Sequence, residues 1–379
     1  MRPRPFTGLS NWQLARRIVA PALFVGALFI AVLTYEPPPT PTIEELALDE
    51  VTLSGKALGT TWSVRVIGPA PDPVGQQALA DAITSTLEEV DEKMSTWRED
   101  SELTALNRHA SSEPFPVAAS TMAVLMRAET MWHETDGAFD VTVYPLVRAW
   151  GFGGADPTAP PTDDELAALL DRVGQQHLTL NHADRTVTKT RPDITVDLSA
   201  IAKGYAVDRI SGVLASMGHT HHMVEVGGEI RARGWNRFKQ PWRLAVERPD
   251  TMDRTAEAVV QLSDLAMATS GDYRNFREQD GRRWSHTIDP RTGQAKLHTL
   301  ASATVLHTEC AFADAYATAF MVVGPDQAMT LATRLDVAAL FLIRLEDGGF
   351  EQRPSPAFER HQSTARKLPG VPDVPPSAG

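Results

Sequence analysis

The sequence predicts an α+β fold, with a single domain built from a mixed, mainly antiparallel sheet and packed helices. Strand-like and helix-like segments mix along the chain without the regular alternation of a doubly wound parallel sheet. We find no internal repeat of fixed period. The chain has 379 residues, 42% of them hydrophobic and 22% charged, which is enough for one large domain or two modest ones. The elements that support the single-domain interpretation are taken below in chain order.

The N-terminal residues carry the clearest topological signal. Arg16 and Arg17 precede an uncharged run at residues 18–35, and acidic residues follow it. The positive-inside rule therefore predicts that residues 1–17 stay in the cytoplasm and that the rest is exported. The run approaches the roughly 20 residues of a membrane-spanning helix and lacks a small-x-small cleavage site. We expect an uncleaved transmembrane anchor in the bacterial cytoplasmic membrane, with a removed leader as the alternative.

Residues 36–50 are predicted to form a Pro-rich linker, and the folded domain is predicted at 51–350, on the periplasmic side. A strand pair is expected within Val51–Ile67, and apolar residues at helical spacing predict helices at Gln76–Met94 and Ser120–Glu134. Thr162 and Glu165 form a capping box that begins a further helix. Later strands are predicted at Leu178–Leu180, Thr186–Thr190, His222–Val226, Arg243–Glu247, Ala258–Leu262, Ala301–Leu306 and Ala338–Leu345. Prolines and few large apolar residues predict a disordered tail at 351–379.

An Ala-rich segment from Cys310 to Gly324 contains no helix breaker and predicts a buried helix. Asp314 is its only charged residue, and Thr318 follows one helical turn later on the same face. A buried carboxylate beside a hydroxyl suits a hard cation such as Mg²⁺. The alternative is that Asp314 only caps or hydrogen-bonds a neighbouring loop.

Several segments between these elements could bind an anion or a ligand. Ile194–Ala206 is interpreted as a strand that ends at Asp197, followed by a turn and a helix whose amides and Lys203 favour phosphate. Asp136–Thr142 is interpreted as a glycine-containing loop entering a strand. His286 precedes a tight turn at Asp289–Gly293. Each segment alone also fits an ordinary turn or helix cap. Only the combination of these segments is a specific sign of a ligand site.

Charge and cysteine content exclude several classes of function. A net charge of -12 and a pI near 5.4 leave no basic stripe for nucleic acid. The single cysteine, Cys310, excludes a disulfide framework and a thiolate metal site. His219, His221 and His222 lack a nearby carboxylate pair, and we therefore predict no metal there.

A series of short motifs runs through the predicted domain. The motifs lie at Leu58–Trp62, Met94–Leu103, Asp136–Thr142, Asp197–Ala206, Val226–Glu229, Ser270–Tyr273, His286–Gly293 and Ala313–Thr318. In this order they resemble the ApbE family, the FAD:protein FMN transferases, and the resemblance covers about Ser54 to Leu345.

The resemblance implies a Mg²⁺-dependent enzyme that takes FAD as substrate, releases AMP and joins FMN to a Thr or Ser of a target protein. It implies that Asp314, Thr318 and the backbone oxygen of Ala200 bind Mg²⁺, and that His286 is the general base. The implied FAD-binding residues are Leu58, Trp97, Ala138, Phe139, Asp140, Asp197, Lys203 and Ile288. The family usually has Met at position 58 and often Tyr at position 97, and its usual lipid-attached cysteine is absent here.

The expected partners are FAD, the cytoplasmic membrane and an acceptor protein, such as a membrane redox subunit, with no nucleic acid. Two other functions fit the same residues. One is a Mg²⁺-dependent FAD pyrophosphatase that passes FMN to water, and the other is a non-catalytic FAD-binding protein. No Asp-x-x-(Ser/Thr)-Gly-Ala-(Ser/Thr) motif occurs in the chain, so self-modification is not expected.

Overall fold

The computed structural model describes residues 48–153, 155, 159–249, 256–272, 276–279, 282–285, 287–295 and 298–366. The predicted anchor at 18–35, the candidate base His286 and residues 367–379 lie outside this set. Within the described residues, no helix is long and apolar enough to cross a membrane. The anchor therefore stays a prediction, and the fold below belongs to the part of the chain that starts at Leu48.

An eight-stranded sheet forms the centre of the fold, in the order β1-β2-β6-β7-β10-β13-β14-β15. Every strand pair described is antiparallel, as the sequence predicts for most of the sheet. Three small sheets, β3-β5-β4, β8-β9 and β11-β12, accompany it. The strands are β1 Glu50–Ala57, β2 Thr60–Ile67, β3 Phe115–Pro116, β4 Leu178–Asn181, β5 Thr186–Lys189, β6 His222–Val226, β7 Glu229–Arg233, β8 Trp242–Glu247, β9 Ala256–Leu262, β10 Leu265–Gly271, β11 Phe276–Gln279, β12 Arg282–Ser285, β13 Leu300–His307, β14 Ala338–Arg344 and β15 Phe350–Pro354.

The helices are α1 Pro73–Met94, α2 Glu102–Arg108, α3 Ala119–Glu134, α4 Tyr144–Ala149, α5 Asp163–Leu170, α6 Ala202–Ser216, α7 Cys310–Val323, α8 Pro325–Arg334 and α9 Pro356–Arg366. The predicted capping box at Thr162 and Glu165 is present at the start of α5. The predicted helix at Cys310 is α7, which is buried along most of its length.

The two faces of the central sheet carry separate cores because side chains alternate along each strand. Val224 of β6 packs with α1, α3, α6 and α7 on one face. Its neighbour Met223 packs on the opposite face with β8, β9 and α9. Strands β13 and β14 are covered on both faces and are almost wholly buried. The helical face, where α6 and α7 cross, is the face that carries the candidate site.

A third apolar cluster joins α4 and α5 to the turn that follows His286 in sequence. Leu146, Trp150 and Leu166 pack with Ile288 in this cluster. The indole Nε1 of Trp150 donates a hydrogen bond of 2.8 Å to the carbonyl oxygen of Gly293. These contacts fix the turn against α4 and α5.

Two predicted strands next to the site are absent, which corrects the sequence interpretation. Residues 194–197 form no strand, because the side-chain amide of Asn107 bonds both backbone groups of Val196, at 2.9 and 2.7 Å. Asp197 N–H donates to the carbonyl of Val141 at 2.7 Å. The loop Asp136–Thr142 likewise leads into the short helix α4 and not into a strand.

The disordered tail predicted at 351–379 is wrong for residues 351–366. Strand β15 pairs with β14 and forms the edge of the central sheet, and α9 follows it. Phe358 of α9 is completely buried in the second core, so one aromatic side chain anchors a segment that is otherwise polar. Composition alone underestimates such a segment, because its stability depends on the apolar pocket it fills.

Candidate functional site

A cavity of about 760 Å³ opens where α6, α7 and three loops meet. Its walls come from the loops around Thr96, Phe139 and Asp197, from the end of β10, from α4 and from the turn at Ile288. This volume lies within the roughly 300–1,000 Å³ of most small-molecule sites. The cavity is therefore large enough for an extended organic ligand.

Helix α7 supplies the acidic centre of the cavity. Asp314 is only 2% exposed, and its Oδ2 accepts a hydrogen bond of 3.1 Å from the backbone N–H of Gly204. Thr318 lies one turn further along, with its hydroxyl 3.3 Å from the hydroxyl of Ser270 in β10. The predicted Asp–Thr pair is therefore extended by a second hydroxyl, which makes the site rich in oxygen donors.

A glycine allows α6 and α7 to approach closely at this point. A Cβ atom added to Gly204 would lie 2.4 Å from the carbonyl oxygen of Cys310, well inside normal contact distance. Any other residue would therefore force the two helix backbones apart at this crossing. The close approach is what brings the amide of Gly204 within hydrogen-bond distance of Asp314.

Lys203 lies between two buried carboxylates. Its Nζ donates to Oε1 of Glu229 at 2.9 Å and is 3.5 Å from Oδ2 of Asp314. Burial alone would lower the pKa of Lys203, but the two carboxylates outweigh it and raise that pKa. Burial raises the pKa of Glu229 to about 7, with Lys203 opposing the rise and Asp314 adding to it. Oε2 of Glu229 has no hydrogen-bond partner among the described residues.

The loop with Ala138, Phe139 and Asp140 forms another wall and is held by its own hydrogen bonds. The carboxylate of Asp140 accepts from the N–H and hydroxyl of Thr142, at 2.8 and 2.5 Å, and from the N–H of Gln175 at 2.9 Å. Burial raises the pKa of Asp140, and these donors oppose the rise. Asp140 thus lines the cavity while its carboxylate also organises the loop.

Asp197 begins the turn that leads into α6. Its Oδ1 accepts a hydrogen bond of 2.9 Å from the N–H of Ser199. Burial raises the pKa of Asp197, and the donors from Ser199 oppose the rise. Because the N–H of Asp197 is bonded to Val141, this turn and the Asp140 loop form one continuous wall.

Trp97 stands at the rim with 74% of its surface exposed, on a loop that is rigidly bonded. The hydroxyl of Ser95 accepts from the backbone N–H groups of Trp97 and Arg98, at 3.2 and 3.3 Å. Arg98 in turn pairs with Asp91 and Asp100. An exposed indole on a fixed loop offers a flat surface for stacking a planar ring.

Leu58 is not among the described residues that line the cavity. It occupies the tight β1–β2 turn, with φ of 51°, beside Gly59 with φ of 70°. Two successive positive φ values are typical of a type I′ hairpin turn. The hairpin predicted within Val51–Ile67 is confirmed, whereas a flavin contact for Leu58 stays a prediction.

The structure brings most of the sequence-predicted residues to one cavity. Those that line it are Trp97, Ala138, Phe139, Asp140, Asp197, Ala200, Lys203, Ile288, Asp314 and Thr318. His286 lies outside the described residues, although Thr287 and Ile288 beside it line the cavity. The chemical roles of these residues stay predictions, because the geometry fixes only their location.

Sequence reasoning missed the side chains of Ser270 and Glu229, which it considered only as parts of glycine-rich backbone. It also missed the wall formed by Tyr144, Val147 and Phe152. The acidic residue directly after Gly227-Gly228 was the one available signal for Glu229. No periodic pattern marks the short helix α4.

The histidines around the start of β6 make structural contacts. His222 is fully buried, with its ring nitrogens hydrogen-bonded to the Ser211 hydroxyl and the His219 carbonyl, both at 2.8 Å. His221 stacks on Trp235 at 3.8 Å between ring centroids. In the part of the chain that the structure describes, no group of three or more His, Cys, Asp or Glu residues could hold a metal ion.

Solved structures of flavin transferases share this architecture. The chain superposes on Flavin Transferase ApbE from Vibrio cholerae with a TM-score of 0.74 and 42% identity, covering 83% of this chain and 99% of that one. It superposes on the apo form of the flavinyl transferase ApbE from Pseudomonas stutzeri with a TM-score of 0.75 and 32% identity, covering 83% and 97%. The fold is therefore that of the flavin transferases.

Residues 58–341 match the profile of the ApbE family, and the chain belongs to this family. A Vibrio cholerae relative named FAD:protein FMN transferase is 43% identical over 316 residues, which span 83% of this chain and 93% of the relative. An Escherichia coli relative of the same name is 35% identical over 341 residues, 89% of this chain and 95% of the relative.

Proposed function

We propose that this chain is an FAD:protein FMN transferase, which moves FMN from FAD to a Ser or Thr hydroxyl of an acceptor protein and releases AMP. The observation that carries the proposal is the convergence of Lys203, Asp314 and Thr318 with the Asp140 and Asp197 loops on one cavity. Membership in a family whose relatives bear this name supports it.

The donor set fits Mg²⁺. Asp314, Thr318 and Ser270 offer one carboxylate and two hydroxyl oxygens in close proximity, and Ala200 lines the same cavity. Mg²⁺ is commonly held by one or two carboxylates together with substrate phosphates. A site with a single carboxylate ligand is then incomplete until FAD brings its pyrophosphate. We infer that Asp314, Thr318 and the backbone oxygen of Ala200 hold the ion, which would neutralise charge on the pyrophosphate.

Lys203 is suited to the same pyrophosphate. Its ammonium group is held by Glu229 on one side, so Lys203 would stay in place if Asp314 bound a metal ion. Phosphoryl transfer depends mainly on positioning and charge neutralisation, which Lys203 supplies directly. Trp97 and Phe139 would bind the flavin end of FAD through apolar and stacking contacts.

The reaction forms a bond between the acceptor hydroxyl oxygen and the phosphorus of the FMN phosphate. The bond from that phosphorus to the bridging oxygen breaks, and AMP leaves with the oxygen. The hydroxyl proton passes to a general base, for which His286 is the candidate implied by the family motif. An imidazole has an unperturbed pKa suited to accepting this proton near neutral pH.

The test is to incubate the protein with FAD, Mg²⁺ and a candidate acceptor, followed by a denaturing gel examined for flavin fluorescence. We expect a fluorescent acceptor band that requires Mg²⁺ and is lost in Asp314→Ala. Free FMN and AMP without a labelled band would indicate an FAD pyrophosphatase. Bound FAD without any product would indicate an FAD-binding protein.

We further propose that the domain works outside the cytoplasm, attached to the cytoplasmic membrane by residues 18–35. The uncharged run, the preceding arginines and the Pro-rich linker support this placement. The acceptor would then be an exported or membrane protein, such as a membrane redox subunit.

A further inference from the structure

We propose that Asp208 is a positioning residue for the magnesium site, because it fixes α7, which carries Asp314 and Thr318, against α6, which follows Ala200 and carries Lys203. The inference rests on the proposed function, since it concerns the same site. It adds a residue that lies outside the cavity and acts only through the two helices.

The start of α7 has no cap of its own. The residue before it, Glu309, makes no capping hydrogen bond, and the first turn contains no acidic residue. Asp208, from the middle of α6, supplies the missing acceptors. Its Oδ1 accepts from the N–H of Cys310 at 2.9 Å, and its Oδ2 accepts from the N–H of Ala311 at 3.0 Å. A carboxylate at this end of a helix also interacts favourably with the helix dipole.

Arg231 of β7 holds Asp208 from the other side through a direct ion pair with Oδ1. Arg231 is two residues from Glu229, the carboxylate that binds Lys203. The Cys310 thiol approaches the carbonyl of Ile230 at 3.6 Å in the same region. One carboxylate thus joins α6, α7 and β7, the three elements that supply Lys203, Asp314 and Glu229.

The spacing of these contacts fixes the register of the two helices. Gly204 and Asp208 are four residues apart on one face of α6, and Cys310 and Asp314 are four apart on one face of α7. Gly204 bonds Asp314, and Asp208 bonds the helix start at Cys310. Two attachments one turn apart prevent α7 from sliding or rotating on α6. The proposed metal ligands lie on both sides of this junction, so their separation depends on it.

The experiment compares Asp208→Asn with a matched control, Glu102→Gln. Glu102 also caps a helix from elsewhere in the chain, because its Oε1 accepts from the N–H of Ala118 at 2.9 Å and the hydroxyl of Thr121 at 2.6 Å, at the start of α3. Helix α3 contributes none of the described cavity-lining residues. Both substitutions remove a negative charge at the start of a helix. Asp208→Asn also turns an amide NH₂ group toward one of the two backbone N–H groups, whereas the amide oxygen of Glu102→Gln can still accept both bonds.

The readout is a Mg²⁺ titration of the melting temperature at saturating FAD without acceptor, repeated as a titration of FMN transfer. We expect both variants to melt below wild type without Mg²⁺. The Mg²⁺ concentration for half-maximal effect should rise about tenfold in Asp208→Asn only, the change that ~1.4 kcal/mol makes in an equilibrium constant. Transfer at saturating Mg²⁺ should largely recover, because no ligand has been removed.

The inference would be overturned if wild type and Asp208→Asn needed the same Mg²⁺ concentration for half-maximal effect. It would also be overturned if this concentration rose equally in Asp208→Asn and Glu102→Gln. Should Asp208→Asn fail to fold, Arg231→Gln provides the test, because it removes the ion pair of Asp208 but keeps the hydrogen bonds from the N–H groups of Cys310 and Ala311. A smaller rise in the Mg²⁺ concentration for half-maximal effect supports the inference, and an unchanged concentration refutes it. A wild type with no Mg²⁺ response at all would instead refute the proposed function.

Discussion

At the scale of single residues, the site depends on three charged groups that share a small buried volume. Lys203 bridges Glu229 and Asp314, so the negative charge of Asp314 is already partly balanced without a metal ion. This balance explains how a carboxylate that is 2% exposed is tolerated in an Ala-rich helix. It also separates the contribution of Asp314 to activity from its contribution to stability.

We therefore predict that Asp314→Ala loses FMN transfer by roughly 100-fold or more, since the remaining neutral oxygens bring no charge to retain a divalent ion. Its melting temperature without Mg²⁺ should stay near that of wild type, because Lys203 keeps Glu229 as a partner. Added Mg²⁺ with FAD should no longer raise that temperature. Thr318→Ala removes one neutral ligand and should be milder, with partial recovery at high Mg²⁺. An active Asp314→Ala with a normal Mg²⁺ response would locate the metal elsewhere.

His222 gives a separate prediction at this scale, because burial lowers its pKa to about 4. The unfolded chain binds a proton near pH 6.5 that the folded protein does not bind, so stability is present above pH 6.5 and is lost as pH falls toward 4. Between pH 7.5 and 5 this residue should cost the wild type ~2 kcal/mol of unfolding free energy.

His222→Gln should be less stable at neutral pH, because it disturbs the bonds to Ser211 and His219. Its further loss of stability between pH 7.5 and 5 should be smaller than that of wild type. Denaturant unfolding at several pH values measures both. Parallel pH profiles for the two proteins would show that His222 does not titrate as described.

At the scale of elements, the crossing of α6 and α7 is the contact that assembles the site. Gly204→Ala should destabilise the protein by ~1–3 kcal/mol, because a Cβ 2.4 Å from the Cys310 carbonyl forces the helices apart. The separation should also weaken the Gly204–Asp314 bond and raise the Mg²⁺ concentration needed for transfer. Thermal melting and Mg²⁺ titration of transfer measure the two effects.

The same helix offers a matched control in Gly212, where an added Cβ meets nothing within 4 Å. Gly212→Ala should stabilise α6 by ~0.5–1 kcal/mol through helix propensity and leave the Mg²⁺ dependence unchanged. If Gly204→Ala behaved like Gly212→Ala, the close approach of the two helices would not limit the site.

At the scale of the whole molecule, we predict that the full chain stays with membranes through alkaline carbonate washing, whereas a chain starting at Leu48 is released. The reason is the uncharged run at residues 18–35 with arginines before it. The shortened chain should still transfer FMN to a soluble acceptor, because it retains every described cavity-lining residue. Protein found in the soluble fraction, with its N-terminus after Tyr35, would indicate a cleaved leader.

Local patterns in the sequence predicted much of the structure. The β1–β2 hairpin, α1, α3, α5 and α7 follow from periodicity, turn residues and caps within short windows. Motif resemblance identified the family, and ten of the residues that it implied line the described cavity. These predictions succeeded because each depends on residues that are close together in the chain.

Contacts between distant residues were decided only by the tertiary structure. Gly204 and Asp314 lie 110 residues apart, and Asp208 and Cys310 lie 102 apart, so no local pattern links them. Asn107 likewise satisfies the backbone of Val196 from 89 residues away and replaces a predicted strand. Phe358 orders a polar segment by filling a pocket formed by other elements. The sequence indicated many of the residues that line the cavity, and packing determined how they are held, because burial and hydrogen bonding act through space.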